Sequence, residues 1–240
     1  MELDRYEIMS KLGAGGYGEV LKARHRSTDT LMAMKFLPMH NRKKQEDALK
    51  EINNILYLQE HENIVKCYEW FIDESQGRLR YAIAMQLCDT DLSGFIKVNK
   101  NRDAHLCLDI ATQTTSGIVF LHTHLPPIIH RDIKPQNVLL KQNDRTGKYI
   151  VKISDFGISN FVRSGSYDEE WTSDEVEQAF HSMCTTVGGR GTRLFMSPEF
   201  FAAKDVKGRK FRVDASVDVF ALGVVFAYMF CYNAGNPFGQ

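Results

Sequence analysis

The sequence predicts an α+β protein of two lobes, the first β-rich and the second mainly helical. Three observations predict it. Up to about residue 80, short β-type runs alternate with turns around one helical stretch. Beyond that point helical periodicity dominates, and Cys88-Asp89-Thr90 is a short polar linker between the two parts. The 240 residues are 43% hydrophobic and 25% charged, the composition of a soluble globular protein with one or two cores. A single domain over 1–240 thus divides into an N-lobe at 1–87 and a C-lobe at 88–240.

Tyr6 to Leu12, Glu19 to Arg24 and Leu31 to Leu37 read as strands separated by Gly-rich and Ser-Thr-Asp turns. Residues 43–59 switch to a helical period, with Ala48, Ile52, Ile55 and Leu56 as one stripe and Glu51 a turn from Ile55. Tyr81 to Leu87 is a further strand. Leu106, Ile110, Thr114, Gly117, Ile118 and Leu121 outline a long helix, Ile128 to Asn137 a loop, and Val138 to Leu140 and Val151 to Ser154 two more strands. The apolar run from Val219 to Tyr232 is short for a bilayer span and reads as a buried helix.

Charge and cysteine usage exclude several function classes. Thirty basic and 30 acidic residues cancel, so net charge draws the chain neither to nucleic acid nor to an anionic membrane. Any phosphate site must be local. Five dispersed cysteines without a CxxC pair fit reduced thiols and a cytoplasmic or nuclear setting better than a disulfide framework. The eight histidines contain no HExxH or similar ligand cluster, which argues against metal-dependent hydrolysis.

Gly13, Gly15, Gly18 and Val20 form a GxGxxGxV run, in which backbone amides can approach phosphate oxygens unobstructed. Alone this pattern is common in hairpins. The next segment looks like a strand rather than a helix, which argues against a dinucleotide-binding fingerprint. Lys35 follows in an apolar strand, where an ammonium needs a counter-charge, and Glu51 on the inner stripe of the helix is the predicted partner. Its ammonium is suited to the α- and β-phosphates of a nucleotide, with Val20 and Ala33 against the adenine faces.

His130-Arg131-Asp132-Ile133-Lys134-Pro135-Gln136-Asn137 places a carboxylate, an ammonium and an amide within one loop, and chance assembly at this spacing is rare. Asp132 would accept or orient a hydroxyl proton, Lys134 would neutralise a transferred phosphoryl, and Asn137 would bind a metal ion. Asp155-Phe156-Gly157 adds a hard carboxylate oxygen suited to Mg²⁺, and Ser197-Pro198-Glu199 follows.

In this order and spacing, from Gly13 to Gly223, these signatures resemble the protein kinase superfamily. The resemblance implies ATP in the cleft between the lobes, Mg²⁺, and transfer of the γ-phosphoryl group to a protein substrate. It gives Met85 the gatekeeper position, Gln86 to Cys88 the hinge, and Ile55, His130 and Phe156 part of the regulatory spine. It makes Asp218 the carboxylate that anchors the catalytic loop. Lys134, with Gly191-Thr192, is similar to the serine/threonine branch. Tyr81 to Cys88, Thr114 to Gly117, and Val217 to Phe226 with Asn236 to Gly239 further resemble the endoplasmic-reticulum stress-sensor kinase–endoribonucleases. That narrower likeness implies a kinase homodimer on the cytoplasmic side of a longer membrane-tethered protein; no RNA-cleaving activity is carried over.

The activation segment, 155–199, is longer than the family usually shows and carries an acidic insert at 163–181, with a short helix expected near 173–181. Phosphorylation there is expected at Thr185 or Thr186, with Arg131 as the pairing group. The C-lobe is expected to be incomplete after Pro237-Phe238-Gly239, leaving an apolar floor exposed and Glu199 without an arginine partner. Two other readings compete. A nucleotide-binding scaffold of pseudokinase type would lack one or more of Lys35, Glu51, Asp132, Asn137 and Asp155, and a small-molecule phosphotransferase would lack the Ser197-Pro198-Glu199 ending.

Overall fold

The computed structural model describes residues 2–15, 18–77, 79–157, 159–161, 168–171, 192–199 and 211–231. Its first part is a five-stranded antiparallel sheet in the order β1-β2-β3-β5-β4, built from β1 (Tyr6–Gly15), β2 (Gly18–His25), β3 (Leu31–Pro38), β4 (Cys67–Asp73) and β5 (Arg80–Gln86). Alternation along each strand gives the sheet two different faces. On the outer face Tyr6, Ala23, Met32, Met34, Phe36, Phe71, Ala82 and Ala84 make a small apolar cluster of their own. The inner face carries Lys35, Leu37, Tyr81 and Ile83 and turns toward helix α1 (Arg42–Tyr57) and the cleft.

Helix α1 starts at Asn41, whose side chain accepts a hydrogen bond from the Lys44 amide at 2.8 Å. Its buried stripe contains Ala48, Glu51, Ile52, Asn54 and Ile55. Leu56, expected on that stripe, is instead 41% exposed, because at 3.6 residues per turn it lies about 80° round the helix from Ala48, beyond Ile52 and past the edge of the buried face. Strand β4 lacks a counterpart in the sequence reading: Cys67 to Asp73 mixes Glu69 with aromatic residues, as an edge strand can.

The second part begins with β6 (Thr90–Asp91) and helix α2 (Leu92–Val98), capped by the Asp91 carboxylate on the Gly94 amide at 2.7 Å. Helix α3 (Ala104–Thr123) buries Ile110, Thr114, Gly117, Ile118 and Leu121 as its periodicity requires. The segment read as loop from Ile128 contains a two-residue strand β7 (Ile128–Ile129). Strands β8 (Val138–Gln142) and β9 (Tyr149–Ile153) pair with each other, and β8 with β6. After β9, β10 (Asn160–Phe161) pairs with β7, and β11 (Asp168–Trp171) with β12 (Phe211–Asp214). Helix α4 (Ser216–Cys231) buries Val217, Ala221, Leu222, Val225 and Met229, while Val219, Phe220 and Phe230 are exposed, so its burial is one-sided rather than complete. Among the described residues no helix is long and apolar enough to cross a membrane. The expected helix near 173–181, Thr185, Thr186, Gly191 and the turn at Pro237 lie outside the described residues.

One apolar core runs through both parts, joining Ile52 and Ile55 of α1 to Ile118 and Leu121 of α3, Val151 and Ile153 of β9, and Val225 of α4. The link between lobes is also polar: Val65 donates its amide to the Ile153 carbonyl at 2.9 Å, and Ile153 donates to the Asn63 carbonyl at 2.8 Å. The loop holding His130 and Arg131 hangs from Asp218 in the first turn of α4, whose carboxylate accepts the His130 amide at 2.8 Å and the Arg131 amide at 2.7 Å. His122 Nε2 lies 2.8 Å from the same carboxylate, so this histidine in the last turn of α3 ties that helix to the anchor. Burial opposes the charge on Asp218 most strongly. Its hydrogen bond with His122, the nearby imidazoles of His130 and His122, and the Arg131 amide outweigh that and hold it below the usual carboxylate range.

Two expectations follow. Gly18 has φ 136°, and a Cβ there would stand 1.9 Å from the Phe36 carbonyl oxygen, whereas one on Gly13 would meet nothing within 4 Å. Gly18→Ala should therefore lower stability by about 1–3 kcal/mol and Gly13→Ala by far less, measured by chemical denaturation. Asp218→Ala should cost about 3 kcal/mol at neutral pH by orphaning two buried amides. Since the folded pKa is depressed, that difference should be complete above about pH 4 and shrink as acid titrates the folded carboxylate.

Candidate active site

Strand register brings the expected nucleotide contacts together on the inner face. Val20 pairs with Lys35, Ala33 with Met85, and Gly13 with Val20, so these positions form one continuous patch under the Gly-rich turn. Gly15 pairs with Gly18; Gly16 and Tyr17 lie outside the described residues. Gln86 pairs with Met32 and so belongs to the opposite face by side chain, which leaves its backbone at the linker. Cys88 is half-buried beyond it, and burial pushes its thiol up to about 11.

Lys35 is 8% exposed and its ammonium bridges two elements, donating to Glu51 of α1 at 2.5 Å and to Asp155 after β9 at 3.1 Å. Burial works hardest against this charge, yet Asp155 and Glu51 together outweigh it and hold the ammonium above the ordinary lysine range. The two carboxylates sharing it respond differently. Asp155, despite its burial, is held down by Lys35 and Lys134, while burial and the charge of Asp155 push Glu51 up against the pull of Lys35.

The loop from His130 assembles the second cluster. Lys134, 1% exposed, donates to the Asp132 carboxylate at 2.7 Å. Asn137 donates to the Asp132 carboxylate at 3.0 Å and to its carbonyl at 2.8 Å. Burial pushes Asp132 up, Lys134 opposes that, and the charge of Asp155 adds to it. The clusters are therefore electrostatic neighbours. Backbone ties bring them there: Ser154 donates its amide at 3.0 Å and its hydroxyl at 3.2 Å to the Asn137 carbonyl. Arg131 and Asp155 adopt φ of 71° and 68°, left-handed conformations that cost non-glycine residues energy and concentrate at functional sites.

His130 and Phe156 rings lie 5.1 Å apart, and Phe156 is fully buried in the same apolar core as Ile55. Thr192 opens a short 3₁₀ turn, Thr192–Phe195, but its side chain lies outside what is described. Asn54, Ser159 and His122 belong to the site's hydrogen-bond frame without any motif to mark them.

The donors suit Mg²⁺. Asp155 has a carboxylate held anionic, and Asn137, with its amide nitrogen turned to Asp132, has an amide oxygen that would serve as a further hard ligand. Among the described residues no group of three or more His, Cys, Asp or Glu could hold a metal. Few protein ligands suit an ion that takes its remaining oxygens from phosphates and water.

The protein kinase domain family description matches residues 6–239. Over 245 aligned residues the chain is 29% identical to mouse "Serine/threonine-protein kinase tousled-like 2", covering 99% of this chain and 31% of that protein. The human protein of the same name is 29% identical, with 29% of it covered. Nematode (Caenorhabditis elegans) "Serine/threonine-protein kinase tousled-like 1" is 27% identical over 98% of this chain and 23% of its own length. The chain thus spans about a third or less of these curated relatives. None of the three is a stress-sensor kinase–endoribonuclease, and that narrower likeness rests on the sequence segments alone. With a family match across nearly its whole length, from residue 6 to 239, this chain belongs to the protein kinase domain family.

Proposed function

We propose that this chain is the catalytic domain of a serine/threonine protein kinase, moving the γ-phosphoryl group of ATP to a hydroxyl of a protein substrate. One observation carries the proposal: Lys35, Glu51 and Asp155 form one buried ion cluster beside a second made by Asp132, Lys134 and Asn137. Two such clusters of fixed charge, electrostatic neighbours of one another, are a costly arrangement for stability alone. They suit a reaction in which catalysis is positioning plus charge stabilisation.

In this reading the inner face at Val20, Ala33 and Met85, with the backbone of Gln86 and Cys88, receives the adenine. Lys35 orients the α- and β-phosphates, and Glu51 keeps its ammonium in place. Asp155 and Asn137 would hold Mg²⁺, which when bound neutralises phosphate charge. Asp132 accepts or orients the proton of the attacking hydroxyl, for which a raised pKa is useful, and Lys134 balances the developing negative charge. Thr192 is assigned to shaping the peptide site. A cytoplasmic, reducing location is part of the proposal, supported by the free thiols Cys67, Cys88, Cys107 and Cys231. A non-catalytic nucleotide-binding scaffold is the competing outcome.

The test is phosphate transfer from ATP to a generic basic protein with Mg²⁺ present. The chain should transfer phosphate, and Asp132→Asn should slow kcat on the order of 10²–10⁴-fold. Because Asp132 must be ionised to accept a proton and its pKa is raised, kcat should fall on acidification with a midpoint above the ~3.9 of a free aspartate. Equal rates for both forms would remove Asp132 from the mechanism. Nucleotide binding without transfer in either form would favour the scaffold.

A further inference from the structure

Helix α1 touches the Asp155 segment at a second place, independent of Lys35. Asn54, one turn beyond Glu51 and 1% exposed, donates its side-chain amide to the Ser159 carbonyl at 3.1 Å and, more weakly, to the Phe156 carbonyl at 3.5 Å. Ser159 is fully buried and continues the chain of bonds: its amide donates to Phe156 at 3.2 Å, and its hydroxyl donates to the His130 carbonyl at 3.1 Å. Between these contacts Gly157 leaves the Glu51 carboxylate room: a Cβ on it would stand 3.2 Å from Oε2. A buried amide reaching two backbone carbonyls from another element fixes both position and rotation, as an apolar contact of equal size would not.

We propose that Asn54 is a positioning residue that locks α1 to the Asp155 segment, with Ser159 carrying the lock on to the catalytic loop. Glu51 and Asp155 then reach Lys35 together or not at all, because the helix bearing one is bonded to the segment bearing the other. Asn54 itself touches neither nucleotide nor metal in this scheme. Its loss leaves the Ser159 carbonyl without this buried donor, so α1 and the segment shift independently and the Lys35 ion cluster loosens. The inference rests on the kinase reading for its catalytic consequence, but not for its structural one.

The experiment compares the full chain with Asn54→Leu, which keeps the branched shape at a larger volume and removes the donor, and with Asn54→Ala as a second variant should the leucine disturb folding. Amide hydrogen exchange, which needs no turnover, should show faster exchange confined to residues 48–57 and 153–161. Phosphate transfer should show kcat lowered about 10–100-fold with the protein-substrate KM unchanged. In a double-mutant cycle with Glu51→Gln the combined loss should be smaller than the product of the single losses, since both act through one lock. Unchanged local exchange, acceleration spread over the whole chain, or losses that multiply would each overturn the proposal. A wild-type chain that transfers no phosphate would instead overturn the kinase reading, leaving the exchange comparison to decide the role of Asn54.

Discussion

A buried ammonium is tolerable only where carboxylates meet it, and Lys35 obtains its two from different parts of the chain, Glu51 on α1 and Asp155 after β9. Satisfying that one charge fixes how the helix lies against the sheet and where the segment after β9 must turn. It also draws the N-lobe sheet onto the second part of the chain. The apolar contacts around Ile55 and Phe156 supply the greater share of cohesion, but they would accept many small displacements. Hydrogen-bonded charges accept few.

Four carboxylates in one small volume end up with different proton affinities, and the reason is local in each case. Asp218 meets two backbone amides and His122 and stays anionic, as an anchor should. Asp155 faces Lys35 and Lys134 and is likewise held down, consistent with the metal-ligand role proposed for it. Asp132 is pushed up by its burial and by the nearby charge of Asp155, against the pull of Lys134. Glu51 rises because its burial, joined by the charge of Asp155, outweighs the pull of Lys35.

Much of this was legible in the sequence. Motifs whose chemistry depends on fixed spacing named Lys35, Asp132, Lys134, Asn137 and Asp155, the helical stripe named Glu51 as the counter-charge of Lys35, and the structure gathers all six at one place. Strands β1 to β3 and helices α1 and α3 could be read from period, because each buries one regular face. What escaped notice lacked a period or a motif. Strand β4 is an edge strand of mixed polarity, and α2 is too short to show a stripe. Asn54 and Ser159 are ordinary polar residues in sequence; only burial and the orientation of two carbonyls give them a task. His122 carries no signal of its tie because its partner Asp218 is distant along the chain. Leu56 and the outer side of α4 erred the other way, apolar by type but exposed by geometry.

The most direct measurement is a crystal structure of the chain with a non-hydrolysable ATP analogue and Mg²⁺. The ammonium of Lys35 should then lie on the α- and β-phosphates with Glu51 still bound to it, the metal should be held by Asp155 and Asn137, and Asp132 should face the γ-phosphoryl group. A nucleotide bound away from the inner face of the sheet, or a metal held by neither Asp155 nor Asn137, would contradict it.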